Sequence, residues 1–71
     1  MKISARNQLR GTVESVTMGA VMAEVVVKLA SGERIVSAIT AESAKNLGLA
    51  SGKPVTAIIK STEVILGVDD R

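Results

Sequence analysis

The chain has 71 residues, with a formal net charge of +2, and it contains no Cys, no His and no aromatic residue. These absences exclude disulfides, thiolate or imidazole metal ligands and an imidazole catalytic base. A chain of this length buries only about 60% of the surface that its unfolded form exposes. Since neither a disulfide nor such a metal site can stabilise it, we expect an oligomer.

Three segments in the first part of the chain have the side-chain patterns of strands. They occupy residues 9–17, 21–29 and 34–39. Alternating apolar and polar side chains are typical of a strand with one buried face, and the apolar run at 25–27 indicates a strand covered on both faces. Turns are predicted at 18–20 and at 30–33, where Gly32 tolerates a positive φ.

The pattern then changes to that of a short helix. Thr40 is a favourable N-cap, and the residues that follow it, 41–47, are compatible with a helix of about two turns. Gly48 suits the position just after a helix C-terminus. We therefore predict one short helix after the third strand.

Two more strands are predicted after the helix. They are expected at residues 55–59 and 64–68, before a polar tail at 69–71. The order β-β-β-α-β-β predicts an all-β fold with one short helix, arranged as a five-stranded OB-fold barrel. We expect a single domain over residues 1–71.

The residue inventory argues against catalysis, nucleic-acid binding and membrane insertion. No carboxylate has a partner in a recognisable motif, and the adjacent Lys60 and Ser61 would point to opposite faces of a strand. OB-folds that bind single-stranded nucleic acid stack bases on aromatic side chains, which this chain lacks. Its apolar stretches are far shorter than a membrane span. We expect a cytoplasmic protein that is not an enzyme, and a nucleic-acid binder remains the weaker alternative.

Hydrogen-bond donors in three places suit a small, fully ionised anion. They are Ser4, Arg6 and Asn7 before the first strand, Thr40 and Ser43 at the helix start, and Lys60 and Ser61 after the fourth strand. Helix N-termini and cationic side chains form favourable hydrogen bonds with anions. A plain helix cap and solvated cations explain the same residues, so both interpretations stay open at this point.

Four segments resemble, in order and spacing, the Mop domain of molbindins, a molybdate-binding family of the TOBE type. They read S-A-R-N-Q-L at 4–9, V-M-A-E-V at 21–25, A-I-T-A-E-S-A at 38–44 and V-T-A-I-I-K-S-T-E-V at 55–64. The resemblance covers essentially the whole chain. It implies an OB-type fold, a hexamer built as a trimer of dimers, and molybdate or tungstate bound at subunit interfaces without an organic cofactor.

The resemblance also implies which residues bind the oxyanion. They are Ser4, Ala5, Arg6, Thr40, Ser43, Lys60 and Ser61, with Ala5 contributing its backbone N–H. A second type of site is expected at Gly19, Ala20 and Val21, where a plain hairpin turn is the alternative. The implied function is storage and buffering of the anion. A sensing module that acts on a partner protein and a purely structural oligomer are the alternatives.

Overall fold

The computed structural model describes residues 1–70 of the chain. Its elements, in order, are β1 (Asn7–Met18), β2 (Met22–Leu29), β3 (Arg34–Thr40), α1 (Ala41–Asn46), β4 (Pro54–Ile59) and a 3₁₀ turn (Ser61–Glu63). The predicted all-β fold with one short helix is confirmed. Each of the first four predicted strands is present, with ends that differ from the prediction by at most two residues.

The four strands form one curled antiparallel sheet in the order β3-β2-β1-β4. The first half of β1 pairs with β4 and the second half pairs with β2, and the two pairings overlap at Gly11 and Thr12. The register of β1 against β2 shifts between Val13 and Ser15. Such a bulge bends a strand and increases its twist, which suits a strand shared by two halves of a curled sheet.

The core lies on the inner face of this sheet. Val13, Val25 and Val27 are buried at its centre, and five partly buried apolar residues pack around them: Val16, Leu29, Ile39, Leu49 and Val55. Val26, between two buried valines, points outward and is only half-buried. The expectation that the run at 25–27 is covered on both faces is therefore met on the inner face only.

Local capping explains the position of α1. The Thr40 hydroxyl oxygen accepts a hydrogen bond from Ser43 N at 3.0 Å, which satisfies one of the unpaired N–H groups at the start of a helix. Ala41 and Ala44 are buried, and the helix packs against β2 and β3. Gly48 ends the helix region with a φ of 63°, as predicted from its position.

The predicted fifth strand at 64–68 does not form, so the five-stranded barrel within one chain is a wrong prediction. Residues 64–70 contain no strand, and the described sheet ends at β3 and β4, which do not pair with each other. The apolar side chains of Ile65, Leu66 and Val68 are 94%, 88% and 92% exposed. A strand needs a hydrogen-bonding neighbour, and within residues 1–70 this segment has none in the sheet.

The missing closure leaves an open groove of about 760 Å³ that is lined mainly by β3 and β4. Arg71, the last residue of the predicted polar tail, lies outside the described residues. Across residues 1–70, no helix has the length and apolar character that crossing a membrane requires.

Candidate functional site

Two of the three predicted donor groups meet at one end of the sheet. The start of β1 pairs with the end of β4, with Asn7 opposite Ile59. Arg6 therefore immediately precedes this pair on one strand, and Lys60 immediately follows it on the other. Ser4, Ala5 and Ser61 continue the same two segments. We call these five residues, Ser4, Ala5, Arg6, Lys60 and Ser61, the β1–β4 cluster.

Two side-chain amides connect the backbone around this cluster. Gln8 Nε2 donates a hydrogen bond to the Ala5 carbonyl oxygen at 2.7 Å, and Asn7 Nδ2 donates to the Ile59 carbonyl oxygen at 3.2 Å. Both distances are normal for hydrogen bonds between nitrogen and oxygen. All members of the cluster except the half-buried Ala5 are exposed, so the cations of Arg6 and Lys60 are accessible to a ligand.

The third donor group is formed by Thr40 and Ser43 at the start of α1. The two hydroxyl oxygens are 2.7 Å apart, within hydrogen-bond distance, and both side chains are exposed. Two backbone donors of the helix start already have partners, because Ala41 N donates to Val21 O at 2.8 Å and Ser43 N donates to Thr40 Oγ1. Fewer backbone N–H groups are therefore available to an anion at this helix start than at an unpaired helix end. The donors that remain are the two hydroxyls and the other amides of the first turn.

The sheet register separates this third group from the β1–β4 cluster. Ala23 pairs with Met18, at the end of β1, and also with Ile39, next to Thr40. Thr40 thus lies near the end of β1, whereas Arg6 lies at its start. The twelve residues of β1 span about 36 Å along the strand at ~3.3 Å per residue. The fold of one chain brings together two of the predicted donor groups and holds the third at the other end of β1.

The residues predicted for a second site form a tight turn between β1 and β2. Gly19 N donates to Met22 O at 2.7 Å, and a Cβ added at Gly19 would lie 2.7 Å from that same oxygen. Val21 is exposed, and its carbonyl oxygen accepts a hydrogen bond from Ala41 N at the start of α1. These contacts are those of the hairpin-turn alternative, and the second anion site stays a prediction.

Residues 3–66 match the TOBE domain family. The chain belongs to this family. It is 48% identical over 66 residues to molybdenum-pterin-binding protein 3 of Clostridium pasteurianum, an alignment that covers 93% of this chain and 97% of that protein.

Two solved structures have closely similar folds. MopII from Clostridium pasteurianum is 45% identical with a TM-score of 0.90, and the match covers 94% of this chain and all (100%) of MopII. A molybdate-binding protein from Sporomusa ovata is 43% identical with a TM-score of 0.89, and covers 96% of this chain and 100% of that one. These relatives carry the names of binding proteins and not of enzymes.

The placement of acidic residues bears on whether this TOBE domain suits a cation or an anion. Among residues 1–70, no group of three or more His, Cys, Asp or Glu is placed to hold a metal cation. Glu63, however, lines the same groove as Lys60. The donor groups therefore suit an anion, with one carboxylate close to the cluster.

The ion pair between Glu14 and Arg34 lies on the outer face of the TOBE domain, on β1 and β3. Arg34 Nε donates to Glu14 Oε2 at 2.7 Å, which holds the pKa of the Glu14 carboxyl below its ordinary value and raises the pKa of the Arg34 guanidinium. Both side chains are substantially exposed, so solvent screens the interaction.

Proposed function

We propose that this TOBE domain is a single binding domain, spanning residues 1–71, that stores and buffers molybdate or tungstate in the cytoplasm. The observation that carries the proposal is the β1–β4 cluster, because the register of two strands places Arg6 and Lys60 beside hydroxyl and backbone donors. We take the identity of the ligand from the names of the relatives, which are molybdenum-pterin-binding and molybdate-binding proteins. The proposal includes no enzymatic step and no organic cofactor.

The cluster has the chemistry that a tetrahedral oxyanion requires. Such an anion presents four oxygens that accept hydrogen bonds and none that donates while it is fully ionised. Arg6 offers a planar fork of donors and Lys60 a compact ammonium group, and both form charge-assisted hydrogen bonds. The hydroxyls of Ser4 and Ser61 and the N–H of Ala5 add neutral donors at the same end of the sheet.

We place the complete site between subunits, because Thr40 and Ser43 lie at the other end of β1 from the cluster. A second chain that turns its Thr40 and Ser43 toward the cluster of the first brings all seven residues to one anion. A ligand that binds only the assembled form also stabilises it by mass action. The proposed assembly is a hexamer, built as a trimer of dimers. The turn at residues 19–21 is the proposed second type of site.

Native mass spectrometry with molybdate, tungstate and sulfate tests this proposal directly, since it reports subunit number and bound anions in one measurement. We expect a hexamer that retains molybdate or tungstate and discriminates against sulfate, which has similar charge and shape but is smaller. A monomer that binds none of the three anions would overturn both the ligand and the shared site.

Replacing Arg6 by Ala tests the β1–β4 cluster itself. A hydrogen bond to a charged group contributes about 1.5–3 kcal/mol, so we expect molybdate affinity to fall by about 10- to 100-fold, measured by titration calorimetry. Arg6→Lys should retain part of the affinity, because it keeps the charge and loses the fork. Thr12→Ala, on exposed β1 surface, is the control. Unchanged affinity in Arg6→Ala would remove Arg6 from the site.

A further inference from the structure

Asn7 and Gln8 make equivalent contacts on the two segments of the β1–β4 cluster. Gln8 Nε2 donates to the carbonyl of Ala5, which directly precedes Arg6. Asn7 Nδ2 donates to the carbonyl of Ile59, which directly precedes Lys60. The side chains of two consecutive residues thus each form a hydrogen bond with the peptide group directly before a cationic residue.

A peptide group is a rigid plane, so a hydrogen bond to its carbonyl oxygen also restricts the nitrogen and Cα of the next residue. At Ala5 this next residue is Arg6. At Ile59 it is Lys60. The amide contacts therefore restrict the backbone from which both cationic side chains extend, and a long side chain that starts from a fixed backbone loses less freedom when it binds a ligand.

We propose that Asn7 and Gln8 are positioning residues of the oxyanion site, Asn7 acting through Lys60 and Gln8 acting through Arg6. This inference rests on the proposed function and extends it to two neutral residues outside the proposed donor set. Neither amide needs to contact the anion, because each acts on the peptide group next to a cation.

The two contacts differ in what they contribute to folding. The bond from Asn7 is partly buried and connects residues 52 positions apart, next to the strand pairing of Asn7 with Ile59. The bond from Gln8 is exposed and spans three positions. Gln8 therefore has little influence on the stability of the sheet, and its effect on ligand affinity is the cleaner measure of positioning.

The first experiment measures molybdate affinity of Asn7→Ala and Gln8→Ala by titration calorimetry. Losing one neutral hydrogen bond that orders the site should weaken binding by about 5-fold in each variant. Thr12→Ala is the matched control, and it should bind like the wild-type protein. Thermal unfolding without molybdate should leave Gln8→Ala close to wild type.

The second experiment separates positioning from a general effect on the fold by double-mutant cycles. In a Lys60→Ala background, Asn7→Ala should cause no further loss, whereas Gln8→Ala should keep its full effect. In an Arg6→Ala background the pattern should reverse. A merely structural role predicts additive losses in all four combinations.

The outcomes distinguish this inference from the proposed function. If the wild-type protein binds no molybdate, the proposed function fails. If it binds, and Arg6→Ala weakens binding while Asn7→Ala and Gln8→Ala do not, the positioning role alone is wrong. Additive losses in both backgrounds would also overturn it, and Gln8→Ala decides the question even if Asn7→Ala does not fold.

Discussion

Gly11 lies where β1 changes partners, opposite Leu29 on β2 and opposite Val55 on β4. A Cβ at this position would lie 2.7 Å from the carbonyl oxygen of Lys28 and 2.7 Å from Val27 Cγ1. The carbonyl belongs to the backbone of the neighbouring strand, so it can move away only if the sheet deforms. Glycine is thus required here by close packing of two strands.

Replacing Gly11 by Ala should therefore destabilise the protein by about 1–3 kcal/mol, the usual cost of overpacking. Urea unfolding followed by circular dichroism measures the change. Gly67→Ala is the matched control, because a Cβ there meets no atom within 4 Å. Equal stability of the two variants would show that the sheet at Gly11 accommodates a methyl group.

For individual residues, the sequence identified the hydrogen-bond donors but not the contacts around them. It grouped Arg6, Lys60 and the hydroxyl residues by residue type, and the register places Arg6 near Lys60 and separates Thr40 and Ser43 from both. The sequence did not reveal that Ala41 N already donates a hydrogen bond to Val21 O, or that Glu63 lines the same groove as Lys60. The first fact depends on a contact between segments far apart in the chain, which local patterns do not contain. The second depends on the 3₁₀ turn in which Glu63 N donates to Lys60 O at 2.8 Å, a turn that no local pattern predicted.

Among the elements, α1 depends on its cap more than most helices do, because six residues are too few for a helix that is stable by itself. Thr40→Ala should cost about 1 kcal/mol of unfolding free energy without ligand, since Ser43 N loses its acceptor. It should also weaken molybdate binding. Thr40→Ser retains the hydroxyl and should restore both properties in urea unfolding and calorimetry. Loss of binding in Thr40→Ser would contradict the role of the hydroxyl.

The same local signals explain which elements were predictable. Alternation predicted β1, a continuous apolar run predicted β2, and the cap at Thr40 and Gly48 bounded α1. Each of these signals acts within a few residues. The segment at 64–68 was predicted as a short strand from its apolar residues, yet it forms no strand. Its conformation depends on a partner strand, and no pattern within the segment specifies one.

For the whole molecule, the exposed tail and the open groove bear on the proposed association of chains. Ile65 and Leu66 are almost fully exposed, and the groove between β3 and β4 is lined by apolar residues of both edge strands. Burying this apolar surface against a second copy would supply the stabilisation that so small a core lacks. We expect the tail to take part in the contact between subunits.

The double variant Ile65→Lys with Leu66→Lys should therefore reduce the proposed hexamer to smaller species, because two charges would have to be buried. Size-exclusion chromatography with light scattering measures the mass. Glu33→Lys, at an exposed turn, changes the net charge by the same amount and should leave the assembly intact. Since we place the anion between chains, molybdate binding should fall together with the mass. A double variant that keeps the wild-type mass would exclude the tail from the interface, and one that dissociates but binds molybdate unchanged would show that a single chain completes the site.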